Sequence, residues 1–380
     1  MASRGFDVVG YDPAPQTVDS LPYEAGLVDL QGNVAVLDSV ERVVAVSDVV
    51  FVAVQTPHEP RFDGTHRITD ERADLEVAFL ASAVSAVCEA AHRRRHPVVM
   101  AVVSTVLPGT WDRVVAPKLN EFVRAAYTPS LIAMGTTVAD WLRPEMVLVG
   151  TDDDVAHQVL AEMFGQLHDR PIVRLRPNEA ELTKMSYNAF IGLKIAYANW
   201  LMEICHHIGA DVDAVTGALA QATDRIVSPR YLSAGMGDGG GCHPRDNLAL
   251  SWLGRRLGVS VDVAGFAMEA RQAQTQWLAD MALHWSRMSH LPVVLCGAEY
   301  KANVPLTAGS PGLLLSELLG GVNVVGFDEP LTPYPAVYVV TARHDRWPSE
   351  RWPARSVVVD PWGYVPDQAG VTVVRVGRAH

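Results

Sequence analysis

Short β-branched apolar runs alternate along this chain with longer segments whose apolar positions recur every three to four residues. Residues 6–12, Phe-Asp-Val-Val-Gly-Tyr-Asp, read as a strand ending in an acid. Residues 49–54, 98–103 and 146–150 read as three more. Runs this uniformly apolar belong to strands buried on both faces, and helix-length segments between them indicate βαβ units and a parallel sheet. Residues 72–94 and 153–167 supply such helices.

Pro177 opens a much longer helical pattern, reaching His207, with Leu182, Met185, Phe190, Leu193, Ile195, Tyr197, Leu201 and Ile204 at helical spacing. A helix of that length spans domains or forms an oligomer interface. Shorter helices are expected over residues 211–222 and 247–257, and another long one over 263–289. A second α/β block starts at Leu291. Its strands are expected at residues 292–297, 322–327, 337–340, 356–360 and 371–374, with a helix over 310–319. The expected architecture is α/β, with two Rossmann-like parallel-sheet domains joined by a central all-helical domain containing one long helix. The divisions fall at residues 1–176, 177–290 and 291–380.

The chain's 380 residues are too many for one hydrophobic core, in keeping with that division. A net charge of −12, with no basic run beyond Arg93, Arg94 and Arg95, argues against a nucleic-acid partner. No apolar run has the length a bilayer requires, so no membrane partner is expected. The cysteines Cys88, Cys205, Cys242 and Cys296 match no zinc spacing, and no metal is expected. Reduced thiols, and a chain start that does not read as a signal peptide, make the cytoplasm the expected location.

The densest chemistry lies in Gly239-Gly240-Gly241-Cys242-His243-Pro244-Arg245-Asp246. Glycines let a ligand approach the backbone closely. Cationic neighbours such as His243 and Arg245 lower a thiol's pKa, and Asp246 can handle a proton. On these residues alone two readings stand: an activated thiolate on a glycine-rich loop, or a small buried hydrophobe at a tight turn. Lys184 and Asn188 lie four apart and share one helical face. Alone, they also read as a solvated lysine and a helix–helix hydrogen bond.

Together these segments resemble, in order and over nearly the whole chain, the UDP-glucose/GDP-mannose dehydrogenase family. The resemblance rests on Gly10-Tyr11-Asp12, Tyr23-Glu24-Ala25-Gly26-Leu27, Val54-Gln55-Thr56-Pro57 and the segment from Ser104 to Thr110, Ser-Thr-Val-Leu-Pro-Gly-Thr. It continues through Glu181-Leu182-Thr183-Lys184 with Asn188-Ala189-Phe190, and through Asp224-Arg225-Ile226 into Cys242-His243-Pro244-Arg245-Asp246. It implies NAD-dependent oxidation of a nucleotide sugar at C6, from alcohol through aldehyde to acid. By the same match Cys242 forms the covalent intermediates, Lys184 and Asn188 stabilise the oxyanion, and Asp246 with Thr105 positions water. Asp12, Thr56 and Thr105 would meet the cofactor. Arg225, Tyr231, Gly239, Gly240 and Lys301 would meet the sugar nucleotide. A homodimer through the long helix is implied as well.

Three departures bear on those expectations. No Gly-x-Gly-x-x-Gly precedes Asp12, so the numbered chain has neither the first strand nor its phosphate cradle. The sheet is expected to open where that strand would lie, and NAD to bind weakly. Ser130 and Met134 stand where the family keeps glutamates, which puts the second oxidation in question. Ala308-Gly309-Ser310-Pro311 replaces the family's Arg-Glu-Ser-Pro, which points to an altered substrate. The alternatives to full oxidation are arrest at the aldehyde, epimerisation without net redox change, or a non-catalytic relative.

Overall fold

A computed structural model describes residues 1–13, 34–57, 73–95, 97–132, 136–228, 234–236, 242–299 and 307–378. The chain divides into two units, Met1–Leu193 and Lys194–His380, and each is described by itself.

The first unit runs β1 (Val8–Gly10), β2 (Val34–Val36), α1 (Val40–Val46), β3 (Val49–Val52), α2 (Ala78–Arg94), β4 (Val98–Val102), β5 (Val123–Tyr127), α3 (Thr137–Leu142), β6 (Val147–Gly150), α4 (Asp154–Leu167) and β7 (Ile172–Leu175). α5 (Pro177–Ile208) then carries the chain into the second unit. The strands form a parallel pair, β1-β2, and a five-stranded sheet in the order β3-β4-β5-β6-β7. β4 is buried along its whole length, because α2 covers one face of the sheet and α4 the other. Val98, Met100 and Val102 pack with Leu80, Val84 and Val87 of α2. Val99 and Ala101 pack with Leu160, Met163 and Phe164 of α4. Continuous apolar sequence, rather than alternation, is what such a two-sided strand requires.

Two expectations need correction. The sheet is not parallel throughout: β6 runs antiparallel to β5, with Tyr127 opposite Gly150. Among the described residues the connection between them carries the six-residue α3 and no full crossover helix, in keeping with β6 returning in the reverse sense. The first long helix begins at Ala78 rather than at residue 72, with residues 73–77 in extended or irregular backbone. Among the described residues β1 pairs only with β2 and β3 only with β4, so the two sheets are separate.

The second unit continues through α6 (Val212–Ala220), α7 (Cys242–Leu257) and α8 (Val263–Ser289) into β8 (Val293–Cys296), α9 (Pro311–Leu318), β9 (Asn323–Val325), β10 (Val337–Val340), β11 (Val357–Asp360) and β12 (Thr372–Arg375). Its sheet has the order β12-β11-β10-β8-β9, all parallel. The first strand of the block therefore lies between the second and the third, as in one common doubly wound order. α8 and α9 cover one face through Leu278, Ala282 and Leu315. Trp347 and Trp352 fill the other. Gly312 at the head of α9 permits the close approach of helix and strand. A Cβ there would lie 2.4 Å from the carbonyl oxygen of Gly297.

Asp360 ends β11 and is fully buried. Its Oδ1 accepts from the amides of Trp362 and Gly363 at 2.9 Å each, and its Oδ2 from those of Tyr364 at 2.7 Å and Val365 at 2.8 Å. One carboxylate thus organises the whole turn after β11. Asp360→Ala leaves four amide donors, one of them fully buried, without an acceptor and should lower stability by about 3–5 kcal/mol. Denaturant unfolding followed by tryptophan fluorescence checks this. An unchanged midpoint would contradict it.

Candidate active site

In the first unit, the candidate residues gather at the carboxyl ends of β3, β4 and β5, where ligands bind in open α/β sheets. The segment after β4 is pinned to the end of β3. Ser104 Oγ accepts from the Val54 amide at 3.1 Å and donates to the Val54 carbonyl at 2.6 Å. Thr56 Oγ1 donates to the Thr105 carbonyl at 2.6 Å. Thr56 and Thr105 are thus brought together, both half-buried. Asp12 lies exposed just past β1. This is the end of the strand pair that is separate from β3.

The far end of the same segment turns at Gly109, whose φ of +89° favours glycine, and enters a short π-helical turn at Trp111–Val115. The first turns of α5 meet it there. α5 can seat closely because residue 150 is glycine: a Cβ would lie 2.6 Å from the Ala180 side chain. Glu181, fully buried, accepts from the Gly109 amide at 2.7 Å and the Trp111 amide at 2.6 Å. Burial raises its pKa, against the two amide bonds that hold it down. Glu181 stood in the sequence as part of a motif with no role. Its signal was its spacing: Pro177, Ala180, Glu181 and Lys184 form one stripe of the helix.

Lys184 is 5% exposed and donates from Nζ to the Ser130 carbonyl at 2.8 Å. Desolvation by burial moves its pKa below the ordinary lysine value. It is not a solvated helix lysine. Asn188, one turn on, is exposed. Ser130 follows β5 and is half-buried. Met134 lies outside the described residues.

In the second unit the helix expected at residues 247–257 starts five positions earlier, at Cys242. Cys242 therefore heads a helix rather than sitting within a loop. Pro244 is tolerated because the first-turn amides have no helical acceptor. Asp246 lies four residues into α7. Ahead of them, residues 234–236 are anchored to the last block. Gly235 lies so close to Trp362 that a Cβ would fall 2.2 Å from its ring, and its carbonyl accepts from Gln274 at 3.1 Å. Arg225 is exposed beyond α6. Tyr231, Gly239, Gly240 and Lys301 lie outside the described residues. Cys88, Cys205 and Cys296 are free and buried, and burial pushes the Cys88 thiol up to about 11. Among the described residues no cluster of His, Cys, Asp or Glu could hold a metal ion.

The model of the NAD binding domain of the UDP-glucose/GDP-mannose dehydrogenase family matches residues 1–168, and that of the family's central domain matches residues 178–272. The chain belongs to this family. Its members are NAD-dependent oxidoreductases, and the first block is the NAD-binding one. A UDP-glucose 6-dehydrogenase of Haloferax volcanii is 28% identical over 353 residues, 86% of this chain and 79% of that one. A GDP-mannose 6-dehydrogenase of Azotobacter vinelandii is 29% identical over 344 residues, 84% and 75% of the two chains. The fold matches that of a GDP-mannose dehydrogenase from Pseudomonas aeruginosa with a TM-score of 0.84. That likeness covers 98% of this chain and 95% of the other at 23% identity.

Proposed function

We propose that this chain oxidises C6 of a nucleotide hexose with NAD, in the cytoplasm, through a covalent intermediate on Cys242. The observation that carries the reading is the buried Lys184, held by a single strand-end carbonyl at the matched position. NAD supplies the hydride acceptor in each oxidation. The residues described at its side suit it: the Asp12 carboxylate follows a strand end, where an acid can meet ribose hydroxyls. The segment from Ser104 to Thr105 is fixed rather than loose.

The chain's own groups divide the chemistry as follows. The alcohol at C6 gives its proton to water and loses a hydride to the acceptor, leaving the aldehyde. The Cys242 thiolate adds to the aldehyde carbon, forming a C–S bond and placing negative charge on oxygen. The Lys184 ammonium and the Asn188 amide stabilise that charge. Loss of a second hydride leaves a thioester. Water, held by Asp246 and Thr105, adds to it, the C–S bond breaks, and the acid and the thiol are released. Arg225, Tyr231, Gly239, Gly240 and Lys301 hold the sugar nucleotide. Of the three-part division at residues 176 and 290, the first boundary falls between the two family matches, which cover residues 1–168 and 178–272.

One observation favours a slower last step. Ser130 stands where the family has a carboxylate, and a serine without a partner base does not activate water at neutral pH. The chain then releases acid slowly or lets aldehyde escape.

A homodimer through α5 completes the reading. Phe190, Leu193 and Tyr197 are 41–59% exposed on one side of this helix, an apolar face for a second copy. Light scattering should give twice the chain mass of 41.2 kDa, and a monomer at micromolar concentration would contradict it.

The catalytic assignment is tested with GDP-mannose and UDP-glucose as substrates. Cys242→Ala should abolish acid formation, and undiminished acid would sink the assignment. Lys184→Ala should lower kcat by about 10²-fold with little change in substrate KM. Lys184 serves only while protonated, and burial lowers its pKa. The rate should therefore fall as pH rises, at a pH below the ordinary lysine value of about 10.4. Lys184→Arg should remove that alkaline limb.

A further inference from the structure

We propose, resting on the NAD-dependent reading above, that Glu181 is a positioning residue for the cofactor. It acts through the backbone that carries Thr105. The segment from Ser104 to Trp111 is held at both ends. At the near end Ser104 bonds the Val54 backbone and Thr56 bonds the Thr105 carbonyl. At the far end the hydrogen-bonding clamp is Glu181, with one carboxylate oxygen on the Gly109 amide and the other on the Trp111 amide.

The far clamp has an unusual chemistry. Glu181 is fully buried, and the groups that bond it are backbone amides rather than a cation. Both amides belong to a turn with positive φ at Gly109 followed by π-helical backbone at Trp111. Such a turn has amide donors that regular structure does not satisfy. A carboxylate serves here because both of its oxygens only accept. A glutamine of the same shape presents one oxygen and one NH2. It can serve one amide and must oppose the other.

Thr105 lies four residues before Gly109 on this held segment. Releasing the far clamp lets the Thr105 backbone drift against the cofactor. Glu181 and the segment it holds belong to the first unit, whereas Cys242 and Asp246 belong to the second. Glu181 also sits three residues before Lys184, so α5 places two buried charges of opposite sign on two neighbouring strand-end segments. Glu181 takes the one after β4 and Lys184 the one after β5.

The test compares wild type, Glu181→Gln, Glu181→Asp and Glu179→Gln in the full chain. Glu179 is half-buried and pairs with Arg176 by the α5 start, so its variant should behave as wild type. Glu181→Gln should lower kcat/KM for NAD by about 10²-fold and leave KM for the nucleotide sugar within about twofold. Hydrogen exchange at the Gly109 and Trp111 amides should accelerate in the same variant. Glu181→Asp keeps two acceptor oxygens on a shorter arm and should recover part of the NAD effect. Equal loss of affinity for NAD and sugar, or loss of activity only in proportion to unfolded protein, would overturn the proposal. So would unchanged exchange at Gly109 and Trp111 in a folded Glu181→Gln protein. A wild-type chain that binds no NAD would instead overturn the function proposed above, while the exchange measurement would still decide the clamp.

Discussion

The seating of α5 against the ends of β5 and β6 is the contact on which the first unit's chemistry depends. It is possible because Gly150 has no Cβ and Ala180 presents only a methyl group. With the helix that close, Glu181 and Lys184 are forced inside, away from water. Burying either charge costs several kcal/mol unless its bonds offset it. Each hydrogen bond to a charged group returns about 1.5–3 kcal/mol. Two such bonds on Glu181 and one on Lys184 cover the two sides unequally. Neither is fully compensated: the acid's pKa rises with burial and the amine's falls. A buried, under-compensated lysine holds its proton loosely, which suits a group that must answer charge developing on a substrate oxygen.

The second unit uses the same device for architecture alone. Asp360 gathers four amides at the end of β11, as Glu181 gathers two beyond β4. In both places a carboxylate replaces the regular backbone partners that an irregular turn has lost. Ahead of α7, Gly235 against Trp362 fixes a point shortly before Cys242 to the last α/β block. The segment ahead of α7 and the C-terminal core are thereby joined within one unit.

Much of this was legible in the sequence because two-sided burial writes itself as continuous apolar runs. β4, β8 and β10 are buried throughout and were read within a residue of their bounds. The long helices α5 and α8 were equally clear from their spacing. Less legible were the strands with weak local signal. β2 has three exposed residues, and β7 has none that is fully buried. The reversal of β6 depends on where a connection crosses, which no periodicity records. Cys242 was placed on the glycine run because the glycines dominate the pattern, whereas the helix starts at the cysteine itself. Lys184 was found by resemblance, but its burial came from Gly150, thirty-four positions earlier and silent in any local pattern. Glu181 was hidden for the same reason.

Covalent chemistry at Cys242 is the central claim, and it is most directly read by intact-protein mass spectrometry during turnover with NAD and GDP-mannose or UDP-glucose. Because Ser130 offers no base for the last hydrolysis, the account predicts an adduct of the oxidised sugar nucleotide that accumulates and maps to the peptide containing Cys242. Rapid release of acid, with two NADH formed per sugar and the protein unmodified throughout, would contradict it, as would an adduct on any other residue.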